Sequence, residues 1–234
     1  WVTPTRRLAH HLRRRFDESC TEQGLVVWRT PDVVTWSGLV ERFFTLERQA
    51  GRVEGRWLPD NAARLVWERL VERDPATAGL VSPGQLGRSA YESWRRMHAY
   101  QIPPEAVAAG DTPETAAFAR WADEYAAWLD RHQWVDESRA VARLDPDASG
   151  VTLEFVGFDA LTPAQQSYRR RLERSGTVLD QRPVGQAEGS AIWVECVDRL
   201  AEYDAAARWA AQRLERRPAD RLRLLPVPGV VPLP

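Results

Sequence analysis

Lysine is missing altogether: all 32 cationic side chains of this 234-residue chain are arginine. A phosphate-binding loop, a Schiff-base centre and any nuclease site whose motif ends in Lys are therefore incomplete within these residues. Cysteine is almost as scarce, with Cys20 and Cys196 lying far apart and in no C-x-x-C or Cys/His spacing. They read as isolated thiols of a reducing compartment, which excludes a disulfide framework. There is no apolar run of about 18 residues and no opening signal-peptide pattern. The expectation is a cytoplasmic protein with no membrane contact. Neither sign of charge is in excess, the formal net charge being −1, so a nucleic-acid site has to be a local patch rather than bulk attraction. Methionine occurs once, at Met97, and the chain starts at Trp1. The expectation from both is an excerpt whose first strand is truncated to Trp1 and Val2. The closing LLPVPGVVPLP, residues 224 to 234, carries four prolines, which forbid a helix or a central strand there.

What is present alternates strand and helix patterns. VTPTRRLAHHLRRRF, residues 2 to 16, reads as a strand end followed by a helix capped at Thr3-Pro4, with Leu8, Leu12 and Phe16 as its apolar stripe. LVVWRTPDVVTW, residues 25 to 36, reads as strand, turn and short strand, broken by Pro31. A helix follows with Trp36, Leu39, Val40, Phe43 and Phe44 inward. From about Trp57 to Leu144 the pattern is helical without a strand, the clearest stripe being Phe118, Trp121, Ala122, Tyr125, Trp128 and Leu129. Seven of the eleven Trp lie in or beside this block on apolar stripes, where core packing accounts for them better than base stacking. Strand patterns resume at VTLEFVGF, residues 151 to 158, at TVL, residues 177 to 179, at AIWVECV, residues 191 to 197, and at RLRLL, residues 221 to 225. Helices 163 to 175 and 198 to 216 separate them, the second with Leu200, Tyr203, Ala207, Ala210 and Leu214 inward. TPAQ, residues 162 to 165, and SPGQ, residues 82 to 85, have the form of capping boxes. The expected fold class is α/β, a mostly parallel sheet flanked by helices. Residues 1–51 and 149–234 would form the α/β domain and 52–148 an inserted helical subdomain.

This order of strand, basic helix, strand, apolar helix, helical insertion and strand resembles the first motor domain of superfamily 1 helicases, whose fold is of the P-loop, RecA-like kind. VTPTRR is similar to the helicase segment in which a strand ends in Thr and passes to a helix, setting a hydroxyl and helix N–H groups on the DNA backbone. Thr35-Trp36-Ser37 stand where helicases have the next such segment. An active motor ends its next strand in Asp-Glu, one for Mg²⁺ and one for the attacking water. Here that stretch is Val156-Gly157-Phe158-Asp159, a degenerate motor motif without a carboxylate pair. G-F-x-x-hydrophobic-T-P-x-Q at this point resembles the inactivated helicase region of AddB/RexB-type subunits and of related bacterial DNA repair proteins with a C-terminal PD-(D/E)xK nuclease. DRLAEYDAAARWAAQRLERRP, residues 198 to 218, is similar to a later segment of that family.

The resemblance implies a DNA repair or recombination module that binds or guides DNA, single-stranded by expectation. It would have no enzyme activity and no cofactor of its own, with nuclease chemistry downstream and a helicase-nuclease partner subunit. Thr3, Thr5, Arg6, Arg7, Thr35 and Ser37 become the candidate DNA contacts. The arginines further along, Arg13, Arg14 and Arg15, and the second cluster at Arg169, Arg170, Arg171 and Arg174 fit either phosphate contacts or a solvated helix face. The rival reading is a protein-interaction scaffold without DNA binding. His10, His11, His98 and His132 lack a metal-ligand spacing, and Asp123-Glu124 and Asp136-Glu137 are expected to face solvent.

Overall fold

The computed structural model describes residues 1–77, 82–176, 179–182 and 194–216. The chain divides into two compact units, residues 1–186 and 187–234. The first is a mostly helical α/β structure around a small parallel sheet.

β1 (Val2–Thr3) leads into α1 (Arg6–Glu22), β2 (Val34–Thr35) and α2 (Trp36–Gln49). After a helical stretch come β5 (Leu153–Val156), α8 (Pro163–Arg174) and β6 (Leu179–Arg182). These strands form one sheet in the order β2-β1-β5-β6, all neighbours parallel. Val2 opposes Val34 on one side and Phe155 on the other. The outer helices lay apolar stripes on the sheet, and Val2, Leu39, Val40, Phe44, Phe155, Tyr168 and Leu172 close a core at 0–1% exposure. Leu8, Leu12 and Phe16 of α1 are only half-buried; Ala9 and Cys20 are the buried residues of that helix.

Between the two halves of the sheet lie α3 (Asp60–Arg73), a 3₁₀ turn (Pro75–Thr77), α4 (Pro83–Ala99), α5 (Pro104–Ala108), α6 (Pro113–His132) and α7 (Glu137–Arg143). They hold a second, aromatic core in which Trp67, Tyr125 and Leu129 are fully buried. Tyr125 lies 5.0 Å from Trp67 and 5.2 Å from Trp94, ring centre to ring centre. Core packing therefore explains these Trp. The stretch is not purely helical: β3 (Arg56–Trp57) and β4 (Trp134–Val135) pair in parallel as a two-stranded ribbon. Two-residue strands leave no alternation to detect; pairing across 78 positions, helped by the Arg56 guanidinium over the Trp134 ring at 4.2 Å, creates them.

Several local expectations shift. In residues 25 to 36 only Val34–Thr35 pairs with the sheet; Leu25, Val26 and Val27 are exposed, since β propensity without a partner strand makes no sheet. The cap of α1 is Thr5, whose hydroxyl accepts from the Leu8 amide, not Thr3. Thr3 ends β1 and is fully buried. Ser82 makes no side-chain cap bond, whereas Thr162 and Gln165 form the full capping box of α8. Replacing Thr162 with Ala is expected to lower stability by about 1 kcal/mol, a fall in Tm of about 2–4 °C readable by circular dichroism.

In the second unit, α9 (Arg199–Arg216) starts at Asp198, whose carboxylate accepts from the Ala201 amide at 2.7 Å. Leu200, Tyr203 and Leu214, expected to face inward, are exposed, as are Val194 and Val197 of the stretch expected to be a strand. Residues 191–193, the RLRLL segment, Thr177, Val178 and the proline-rich close lie outside the described residues.

Candidate nucleic-acid crevice

The sheet order fixes where a ligand can approach. From β1 the chain moves to β2 on one side, then returns to add β5 and β6 on the other. The point between β1 and β5 is a topological switch, and in open parallel sheets the crevice outside the carboxyl ends of the strands at such a point is the usual ligand site. A crevice of about 810 Å³ opens there.

Its floor comes from the chain turns that leave the strands: Pro4 and Thr5 after β1, Trp36 and Ser37 after β2, and Gly157, Phe158 and Asp159 after β5. Gly157 adopts φ +76°, a left-handed turn that a side chain resists, and Phe158 after it joins the core, its ring 5.6 Å from Phe155. The first turns of α1, α2 and α8 all meet this crevice. Thr5 caps the first, Thr35 accepts from the Gly38 amide at 3.2 Å to cap the second, and Thr162 caps the third. Their partial positive charge favours an anion.

The roof comes from the helical stretch, through Glu92, Arg95, Arg96 and His98 on α4 and Glu137 and Ser138 on α7. Arg95 is 3.8 Å from Asp60 and 3.9 Å from Glu92; burial works against its charge, but Glu137, Asp60 and Glu92 outweigh that and raise its pKa. His98 stacks edge-on to Trp94 at 4.2 Å. Burial pushes its imidazole below the ordinary value, and its Nε2 has no hydrogen-bond partner. The Glu137 carboxyl is pushed up by burial, against the opposing pull of a hydrogen bond from Ser37 and the charge of Arg95.

The six candidate DNA contacts thus separate. Thr5 and Ser37 line the crevice. Arg6 and Arg7 are exposed on the first turn of α1. Thr3 is spent inside the protein, its hydroxyl reaching the Thr5 and Val34 carbonyls at 3.1 and 3.2 Å, and Thr35 is used as a cap. Val156, the end of β5, is buried, while Gly157, Phe158 and Asp159 reach the crevice. Further along α1, Arg13 donates to the Val33 carbonyl and Arg14 sits 3.4 Å from Glu18. On α8, Arg171 donates to the Val141 carbonyl, and Arg169 and Arg174 face Glu173 and Asp145 at 2.9 and 3.4 Å. Asp136, expected in solvent, is 1% exposed. Arg95, Arg96 and Glu137 were invisible as site residues because only the fold of the helical stretch brings them over the sheet. Among the described residues no group of three or more metal-ligating side chains occurs, and no helix is long and apolar enough to cross a membrane.

No known family's sequence model matches this chain, and no curated protein matches it.

Proposed function

We propose that the chain is a catalytically inactive, helicase-like module of a bacterial DNA repair or recombination helicase-nuclease. In this reading its sheet is a reduced RecA-like motor sheet, which holds or guides a single DNA strand across the crevice while nuclease chemistry belongs to a downstream domain. The observation that carries the reading is the content of the switch-point crevice. Thr5, Ser37, three helix starts, Arg95 and Arg96 line the crevice, with Arg6 and Arg7 exposed on the turn that follows Thr5, yet residues 156 to 159 offer Asp159 as their only carboxylate. Phosphoryl transfer needs one acidic group for the metal and another to align water; holding a strand needs neither.

The strand would run over the Thr5–Arg7 start of α1 and the Ser37 start of α2, with Arg6 and Arg7 as charge-assisted donors to phosphate. Fluorescence anisotropy with single-stranded DNA is expected to show binding that weakens steeply with salt. The double change Arg6→Ala and Arg7→Ala should flatten the log–log salt slope by about 1.4, two phosphates at roughly 0.7 each. No detectable binding at low salt would sink this reading and leave the protein-interaction scaffold, whose partner would be another subunit of such a complex.

A further inference from the structure

Helix α8 carries Arg169, Arg170, Arg171 and Arg174 against a single acidic residue, Glu173. Arg169 takes Glu173 at 2.9 Å. Arg174 reaches Asp145 at 3.4 Å, but the two side chains are 70% and 78% exposed, and such a pair is worth little. Arg170 donates to the Ser167 hydroxyl at 3.3 Å, and Arg171 donates to the Val141 carbonyl. Among the described residues neither of these two has a carboxylate within ion-pair distance. The Arg171 Nε is buried without a hydrogen-bond partner, and burial pulls the pKa of this side chain below the ordinary arginine value. A guanidinium so placed gains from a carboxylate brought beside it.

Next to this arginine ridge a cleft of about 270 Å³ opens between the end of α4, the start of α5, α7 and α8. Ser167 and Arg171 line both the cleft and the ridge. Met97, Ile102, Pro104, Val141, Ala142 and Ala164 give the cleft its apolar walls. Ile102 is exposed there despite its size. The turn before it is held in place, because Gln101, at φ +54°, donates from its side-chain amide to Ser167 at 3.1 Å. The cleft is smaller than the roughly 300–1,000 Å³ of small-ligand pockets. Among the described residues its one aromatic ring is His98, which already packs edge-on against Trp94 at 4.2 Å. A base therefore finds no free ring face to stack on, whereas a single aliphatic side chain fits.

The geometry points to a docking site for an acidic segment of a partner protein, with one aliphatic side chain in the cleft and its flanking carboxylates on Arg170, Arg171 and Arg174. A nucleic-acid strand matches the arginines but not the apolar cleft, and a purely apolar segment matches the cleft but leaves the ridge unused. The site shares His98, Ser138, Val141 and Ala164 with the crevice wall, yet it does not depend on DNA binding.

Fluorescence anisotropy tests it with labelled peptides GSDEXDEGS, in which X is Leu, Ile, Val or Met. At low salt at least one is expected to bind with a Kd below about 1 mM. Serine at X should weaken the best binder about tenfold, the loss of one buried aliphatic side chain. Exchanging its acids for Asn and Gln should weaken it by at least about tenfold and remove the salt dependence. On the protein, the double change Arg170→Glu and Arg174→Glu, at two exposed positions, and the cleft-filling Ala142→Leu should each cost a similar factor. Circular dichroism checks that the variants fold, and Ile102→Ser replaces Ala142→Leu if that chain does not. Equal binding of the serine or the amide peptide, or no binding by any of the four, would overturn the inference. So would a loss of oligonucleotide binding by the double variant as large as its loss of peptide binding, since the ridge would then belong to DNA. Absence of DNA binding by the unmodified chain would overturn the functional reading above and leave this inference standing.

Discussion

Replacing Asp136 with Ala is expected to destabilise the protein by about 3–5 kcal/mol. The carboxylate is 1% exposed and accepts three hydrogen bonds, from Trp94, Tyr125 and the Arg139 amide. Alanine leaves two buried donors without acceptors, each costing about 1–3 kcal/mol, and removes a helix cap worth about 1 kcal/mol. For a chain of this length each kcal/mol lowers Tm by about 2–4 °C, so a fall of roughly 10 °C is expected by differential scanning calorimetry. Near-ultraviolet circular dichroism should weaken with it, because Trp94 and Tyr125 belong to one aromatic cluster. Asp136→Asn should lose less, since its single amide oxygen can still serve either the cap or the aromatic donors. Equal loss for Asn and Ala would contradict this account.

Gly87→Val is expected to be nearly as damaging, for a reason unrelated to hydrogen bonding. A Cβ at Gly87 would sit 2.6 Å from the Glu68 Cα, 3.0 Å from the Glu68 nitrogen and 3.2 Å from the Trp67 carbonyl oxygen. All three are backbone atoms of α3, so the helices must part along the α3–α4 contact, over a core that includes the fully buried Trp67. Overpacking of this kind costs about 1–3 kcal/mol, and valine, with two more methyls and poorer helix propensity, belongs at the upper end. Gly87→Ala gains about 1 kcal/mol of helix propensity but is still expected to be destabilising. Urea unfolding midpoints would check both; a stabilising alanine would show that the backbone contact yields easily.

Gly87 also shows where sequence patterning runs out. Nothing about a glycine inside an apolar helical stripe says that another helix's backbone lies against it; that depends on how α3 and α4 cross. The short strands β3 and β4 were missed for a similar reason, as each holds only two residues and exists through a partner far along the chain. Periodicity detects an element when many of its own residues repeat a pattern. That is why Trp36 to Phe44 and Trp121 to Leu129 were read correctly as buried stripes, and why the exposed Leu25–Val27 run was mistaken for strand.

Some parts of the candidate site were legible in the residues. The floor of the crevice was, because Thr5, Ser37 and Gly157–Asp159 each follow a strand closely in sequence, and the carboxyl ends of parallel strands lie at one edge of their sheet. The burial of Thr3 was not, since it depends on β1 being flanked on both sides, by Val34 and by Phe155.

By itself the sequence determined the alternation of strands and helices, the aromatic character of the second core, the lack of any lysine and the lack of an Asp-Glu pair at residues 156 to 159. These follow from residue type and local spacing. Only the tertiary structure decided that Arg95, Arg96, His98 and Glu137 line the crevice and that Asp136 is buried. What brings them to the crevice is the packing of α4 against α7 and α8 and of α7 against α2 and α8. No local pattern encodes it.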